Sequence, residues 1–166
     1  EYAAGVNGEL TATFESGIAA AVKAAKGADA VILTLGEPQG DSGEGNSKLD
    51  LELPAVQYKL LDEVLKVYKN TAVLLFSGRP LAIKRLSETA PAILEVWQPG
   101  TEGGSAAANL LFGKAVPSGK LTMSFPAKTG QCPIYYNHYN TGRPRRNDDV
   151  RVAYTSSYID GPNKPL

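Results

Sequence analysis

Glu37, Asp41, Glu44, Asp50 and Glu52 fall within one short stretch that also carries Gly36, Gly40, Gly43 and Gly45. Carboxylates among glycines, with no metal-ligand cluster beside them, fit sugar chemistry or hydroxyl recognition. The same composition also fits a solvated surface loop. Two further short stretches add polar groups: Ser77-Gly78-Arg79-Pro80, and Gln98-Pro99-Gly100-Thr101-Glu102-Gly103-Gly104. Arg79 suits pairing with a nearby carboxylate. The glycines before the helix suit a tight turn better than a phosphate cradle, since they match neither the dinucleotide fingerprint nor the P-loop. Trp97 is read as filling the end of the core in preference to stacking on a sugar. No Gly-x-Ser-x-Gly elbow for acyl transfer is present.

These stretches are positioned by what surrounds them. Phe14, Ile18, Val22 and Ala25 recur at helical spacing in an Ala-rich run that Gly27 ends. Residues 30–35 form an apolar run without alternation, as a strand buried on both faces needs. A long loop over 36–53 follows, and connections of that length are usually functional or disordered. Pro54 suits the first turn of the next helix, whose inner face carries Val56, Leu60, Val64 and Val67. The cycle repeats with strands over 72–76 and 92–97, a short helix with Leu81 and Leu86, and a helix with Ala107, Leu110 and Leu111 inward, capped by Gly113. Leu121, Met123 and Phe125 alternate with polar residues and predict a last strand near an edge. Strands alternating with helices define an α/β fold, a three-layer αβα sandwich on a mostly parallel sheet. In such a sheet the loops after 36, 77 and 98 leave the carboxyl ends of their strands along one edge, where ligands bind. They bring Glu37, Asp41, Glu44, Arg79 and Glu102 together. Residues 1–127 are assigned to the sandwich. Residues 128–166 form an extended tail with Tyr135, Tyr136, Tyr139, Tyr154 and Tyr158, expected to pack on the domain or on a neighbour.

Bulk composition removes whole classes. The 166 residues are 43% hydrophobic and 20% charged with a formal net charge of +0, so there is no electrostatic footprint for nucleic acid or an anionic membrane. The apolar runs are too short to span a bilayer. Cys132 and His138 are each the only one of their kind, which excludes an internal disulfide and a two-histidine zinc site. No metal and no cofactor is expected. The chain opens on Glu1 without an initiator Met, which points to a start inside a longer protein.

Taken in order, the motifs resemble the C-terminal α/β domain of glycoside hydrolase family 3. The resemblance rests on Leu35-Gly36-Glu37, the Gly43-Glu44 of the long loop, Leu53-Pro54 with Gln57, Ser77-Gly78-Arg79-Pro80 and residues 97–104. Leu111-Phe112-Gly113, residues 117–121 and Ser124-Phe125-Pro126 extend it. Residues 130–137, Asn140-Thr141-Gly142-Arg143-Pro144 and residues 154–160 are similar to the periplasmic β-glucosidase branch. The resemblance implies a retaining, exo-acting β-glycosidase, foremost a β-glucosidase, acting on a β-glucoside or related oligosaccharide in the periplasm. In the family a preceding (β/α)-barrel supplies the aspartate nucleophile, and this domain lends a loop to the pocket. The matching loop is 36–53. Glu44 is its candidate acid/base, with Asp41 and Glu37 as rivals and Asp41, Ser42 and Gly43 as substrate contacts. A retaining enzyme holds its two carboxyl groups about 5–5.5 Å apart, one ionised and one protonated. A glutamate closed over an apolar sugar face is desolvated and titrates higher, as an acid must. The barrel is absent from this sequence, and Tyr2-Ala3-Ala4-Gly5 resembles the end of the domain's opening strand. The chain therefore reads as an excised domain, inactive alone. The competing readings are a structural domain with Glu44 idle, and a flavodoxin-like module binding a small ligand at residues 100–104.

Overall fold

The computed structural model describes residues 17–139, 142–143 and 150–166. Phe14, Tyr2-Ala3-Ala4-Gly5, Asn140, Thr141 and Pro144, singled out above, lie outside the described residues. The elements run α1 (Ile18–Lys26), β1 (Val31–Gly36), α2 (Ala55–Val67), β2 (Thr71–Phe76), α3 (Lys84–Thr89), β3 (Ala92–Glu95) and α4 (Gly103–Leu111). Single 3-10 turns occupy Gln39–Asp41 and Thr129–Gln131.

The three strands form a parallel sheet in the order β1-β2-β3, with Leu33 beside Val73 and Leu75 beside Glu95. The helices α1 and α2 pack together and share one apolar cluster with the alternating residues Leu33, Leu35, Val73 and Leu75. Leu61, Leu75, Leu81 and Leu86 are fully enclosed there. Burying a leucine side chain completely contributes roughly 1.5–3 kcal/mol. The α/β sandwich is thus present on the predicted elements. Pro54 stands as the N-cap of α2, and Gly113, the residue after the Phe112 C-cap of α4, has φ 72°, the left-handed stop expected of it. In α4, Ala107 is buried while Leu110 and Leu111 are half-buried.

Two expectations are corrected. Burial on both faces falls to β2, where Val73, Leu74 and Leu75 are all buried, and not to β1, where Ile32 and Thr34 are exposed. The cause is what covers each face: Leu33 and Leu35 point into the cluster shared with α1 and α2, while Ile32 and Thr34 point to the opposite face of β1, which is exposed. The strand expected over Leu121–Phe125 is absent among the described residues. That segment runs irregularly, and of its three alternating apolar residues only Phe125 enters the core, with Leu121 and Met123 62% and 59% exposed. Periodicity without a neighbouring strand to accept the ladder does not make a strand.

The last residues fold back on the domain. Gln131 donates through Nε2 to the carbonyls of Pro162 and Lys164, both at 3.1 Å, and the Leu166 amide donates to the Phe125 carbonyl at 2.9 Å. Between these anchors Tyr136, Tyr139 and Tyr154 are more than four-fifths exposed.

Candidate active site

All three sequence-predicted loops leave the carboxyl ends of the strands, and their bases are tied together. At the end of β1, the Gln57 side chain of α2 pairs with the Gly36 backbone in both directions. Its Oε1 accepts from the Gly36 amide at 2.9 Å and its Nε2 donates to the Gly36 carbonyl at 2.8 Å. The strand therefore hands over to the long loop at a fixed point. The Leu51 amide donates to Thr129 Oγ1 at 3.1 Å and fixes the other end.

Between those points the loop is held from beneath by four charges. The Glu37 side chain is only 3% exposed, and its Oε1 lies 3.1 Å from Arg79 Nε and 3.6 Å from Lys48 Nζ. Neither Glu37 Oε1 nor Arg79 Nε is aligned as a hydrogen bond, so their attraction is coulombic and not directional. Glu37 Oε2 accepts the Gly78 amide at 3.1 Å. Asp41, also buried, accepts Lys48 Nζ at 3.1 Å. Arg79 then spends Nη2 on the loop itself, donating to the carbonyls of Asp41 and, at 3.0 Å, of Asn46. Asn46 closes the turn by donating through Nδ2 to the Gly40 carbonyl at 3.0 Å and through its amide to the Gly43 carbonyl at 3.1 Å.

This network separates the predicted site residues. Glu37 and Asp41 are buried and compensated by Lys48 and Arg79. Glu44 stands exposed at the turn between the two carbonyls that Arg79 holds. Gly43 and Gly45, at φ 135° and 78°, supply the backbone angles that lift Glu44 away from the domain. Ser42 is half-buried against Gly78, where an added Cβ would lie 1.8 Å from Ser42 Oγ, so the β2 loop needs glycine for this close approach. Glu102 does not join the group: it is the exposed N-cap residue of α4. Gly103 packs on Pro99, where a Cβ would come within 2.5 Å of Pro99 Cγ, in keeping with tight helix packing. An open depression of about 530 Å3 lies along this edge, walled by Glu37, Ser42, Ser77, Gly78, Trp97 and Gly100. Trp97 both lines it and packs on Phe125, with ring centroids 5.7 Å apart.

Sequence reasoning missed Glu95. The available signal was a single charge inside the apolar run Ala92-Ile93-Leu94-Glu95-Val96-Trp97. Its Oε1 accepts the Trp97 amide at 2.9 Å and the Ser77 hydroxyl at 3.3 Å, while Oε2 is buried without a partner. Burial pushes the carboxyl above its ordinary value. The bonds from Trp97 and Ser77 pull it back, and the nearby charge of Glu37 adds to the rise. A folded value above the unfolded one means the folded state holds a proton the unfolded chain gives up. The associated stability is full below the unfolded value near ~4.3 and is lost as pH rises through the folded value. Urea midpoints of the chain should therefore fall over that window, and Glu95→Gln should remove this fall. Parallel profiles for the two proteins would show that Glu95 does not titrate this way.

The fold and the loop define an α/β domain with its long loop and an open depression at the carboxyl edge of its sheet. The chain belongs to glycosyl hydrolase family 3: the profile of the family's C-terminal domain matches residues 2–161. It is 47% identical over 146 residues to a periplasmic beta-glucosidase of Salmonella typhimurium, covering 88% of this chain and 19% of the relative. A beta-xylosidase of Formosa agariphila is 44% identical over 122 residues, 74% of this chain and 17% of that one. The beta-glucosidase of Listeria innocua, solved with gluconolactone, matches at a TM-score of 0.84 and 45% identity, over 95% of this chain and 22% of that one. The chain thus spans about a fifth of the length of these relatives. Among the described residues no helix is long and apolar enough to cross a membrane.

Proposed function

We propose that this chain is the substrate-contacting α/β domain of a retaining, exo-acting β-glycosidase, a β-glucosidase of the periplasm. Its loop over residues 36–53 lends Glu44 to a pocket shared with a (β/α)-barrel elsewhere in the same polypeptide. The observation that carries this reading is the division of labour in the loop. Of the three candidate carboxylates, Glu37 and Asp41 are consumed by ion pairs beneath it and Glu44 is the one left exposed at the turn. A carboxylate committed to such pairs, as Glu37 is to Arg79 and Lys48 and Asp41 is to Lys48, is not free to reach a substrate outside the domain. An uncommitted one takes its properties from whatever closes over it. The names of the relatives support the substrate class, since each acts on a glycoside.

In the reaction, a barrel carboxylate attacks the anomeric carbon as the glycosidic C–O bond breaks, and Glu44 gives its proton to the departing oxygen. Glu44 then takes a proton from the water that releases the sugar from the covalent intermediate. Ser42 and Gly43 contact the substrate beside it. Residues 1–127 are assigned to the body of this domain and residues 128–166 to a tail that packs on it or on a neighbour. Half the catalytic pair lies outside the chain, so the purified 166-residue protein should not turn over an aryl β-glucoside. Turnover by the pure chain would refute the shared-site reading.

A further inference from the structure

Ser77 and Gly78 sit between two carboxylates, and each donates one hydrogen bond to its own side. Gly78 reaches Glu37, which Arg79 and Lys48 neutralise. Ser77 reaches Glu95, which has no cation of its own among the described residues. Glu95 also accepts the Trp97 amide. Trp97 has φ 52°, a left-handed conformation that a bulky residue keeps only where its surroundings over-determine it. The chain turns there from β3 into the loop that walls the depression. The turn is held from within the domain by the Val96 amide on the Leu75 carbonyl at 2.9 Å, by the indole packed on Phe125 and the core cluster, and by the Glu95 carboxyl on the Trp97 amide. Keeping a carboxyl in this place buries one oxygen without a partner, an arrangement that packing alone does not call for.

We propose that Glu95 is a positioning residue: by accepting from both Ser77 and Trp97 it staples the loop after β2 to the loop after β3, and so sets the Trp97 wall of the candidate site. The residue acts through others and touches no reacting atom. Its effect reaches the site because Ser77, Gly78 and Trp97 all line the same depression.

Trp97 is the only tryptophan in the sequence beside eight tyrosines, so emission excited at the red edge, where indole absorbs and phenol does not, reads this turn alone. In Glu95→Gln the side-chain carbonyl still accepts both bonds, and emission maximum and acrylamide quenching should match those of the unchanged chain. Glu95→Leu, similar in size but with no acceptor, should shift emission to the red and raise quenching while far-UV circular dichroism is retained. Glu95→Asp withdraws the oxygens by one methylene and should show the same change in milder form. This variant decides the matter if the leucine variant does not fold. Emission and quenching unchanged in Asp, or in a folded Leu variant, would overturn the proposal, as would a glutamine variant that fails to restore them. In the full-length enzyme the Leu and Asp variants should raise KM for aryl β-glucosides and leave kcat for a good leaving group in place. That second arm rests on the functional reading above and the fluorescence arm does not, so the two fail separately.

Discussion

In the full-length enzyme, Glu44→Gln should slow hydrolysis of glucosides with poor leaving groups by about 10²–10⁴-fold, the usual worth of general acid catalysis. The reason is where the proton is needed. An alkoxide or sugar leaving group cannot depart as an anion at neutral pH, so the first step waits on a donor. A highly acidic phenol departs without one, and its first step should survive the substitution. The second step then suffers alone, because the amide cannot take the proton from water. The glycosyl-enzyme accumulates, and the good leaving group appears as a burst followed by a slow phase. A matched pair of aryl β-glucosides, one with a strongly acidic phenol and one with a weakly acidic one, measures all of this in stopped-flow and steady-state assays. Equal losses on both substrates in the first step, read from the burst, would assign Glu44 a binding role. No loss on either would leave the loop as a wall and place the acid in the barrel. Asp41→Asn is the useful control, since Asp41 is bound beneath the loop by Lys48 and its loss should weaken the loop without making the rate depend on the leaving group.

Arg79→Ala should cost the chain about 3–5 kcal/mol of stability, the range measured when one partner of a buried pair is removed. Glu37 is the reason. Its side chain is almost wholly enclosed, and with Arg79 gone its charge faces only Lys48 at 3.6 Å. The carbonyls of Asp41 and Asn46 lose their donor in the same step. Lys48 offsets part of the loss, which places the expectation at the lower end of that range. Urea unfolding of the 166-residue chain reads it directly, and a loss under about 1 kcal/mol, the level of an exposed pair, would mean the network is not holding the loop. Arg79→Lys restores the charge but not the planar group that faces Glu37 through Nε while Nη2 serves the carbonyls of Asp41 and Asn46. It should recover most of the stability and little of the activity, because a displacement near 1 Å in a reacting group is enough to lose about 10²-fold in rate. That split between stability and rate would show that Arg79 aims Glu44 as well as holding the fold.

What the sequence made legible follows from which forces act locally. The spacing of Leu60 and Val64 and the unbroken run Val73-Leu74-Leu75 are dictated by burial, and burial repeats with the period of the element, so α2, β2 and their neighbours could be read directly. The long loop could be read too, as too many glycines and carboxylates between two periodic segments. Its internal wiring could not. Arg79 lies 38 positions from Asp41 and 33 from Asn46, and no local pattern says that one guanidinium will bridge both. Equally, nothing in the order of residues said that Glu37 and Asp41 would be buried and Glu44 left out. Sequence position made them rivals, and only folding distinguishes them. Glu95 escaped notice because a strand-end carboxylate normally means the chain has reached solvent, and here the chain instead turns back through Trp97. The alternation of Leu121, Met123 and Phe125 misled for the opposite reason: the pattern was present but no strand lay beside it.

The anchoring of the long loop also bears on transplantation. Its ties run to Gln57 in α2, to Gly78 and Arg79 after β2, and to Thr129 near the start of the tail. Residues 36–53 moved into a related domain would arrive without their guanidinium, their glycine and their glutamine. An engineer who wants to exchange substrate preference between two such enzymes must therefore treat segments distant in the chain as one heritable unit. The smallest graft is the loop together with Gln57, the Ser77-Gly78-Arg79 turn and Thr129.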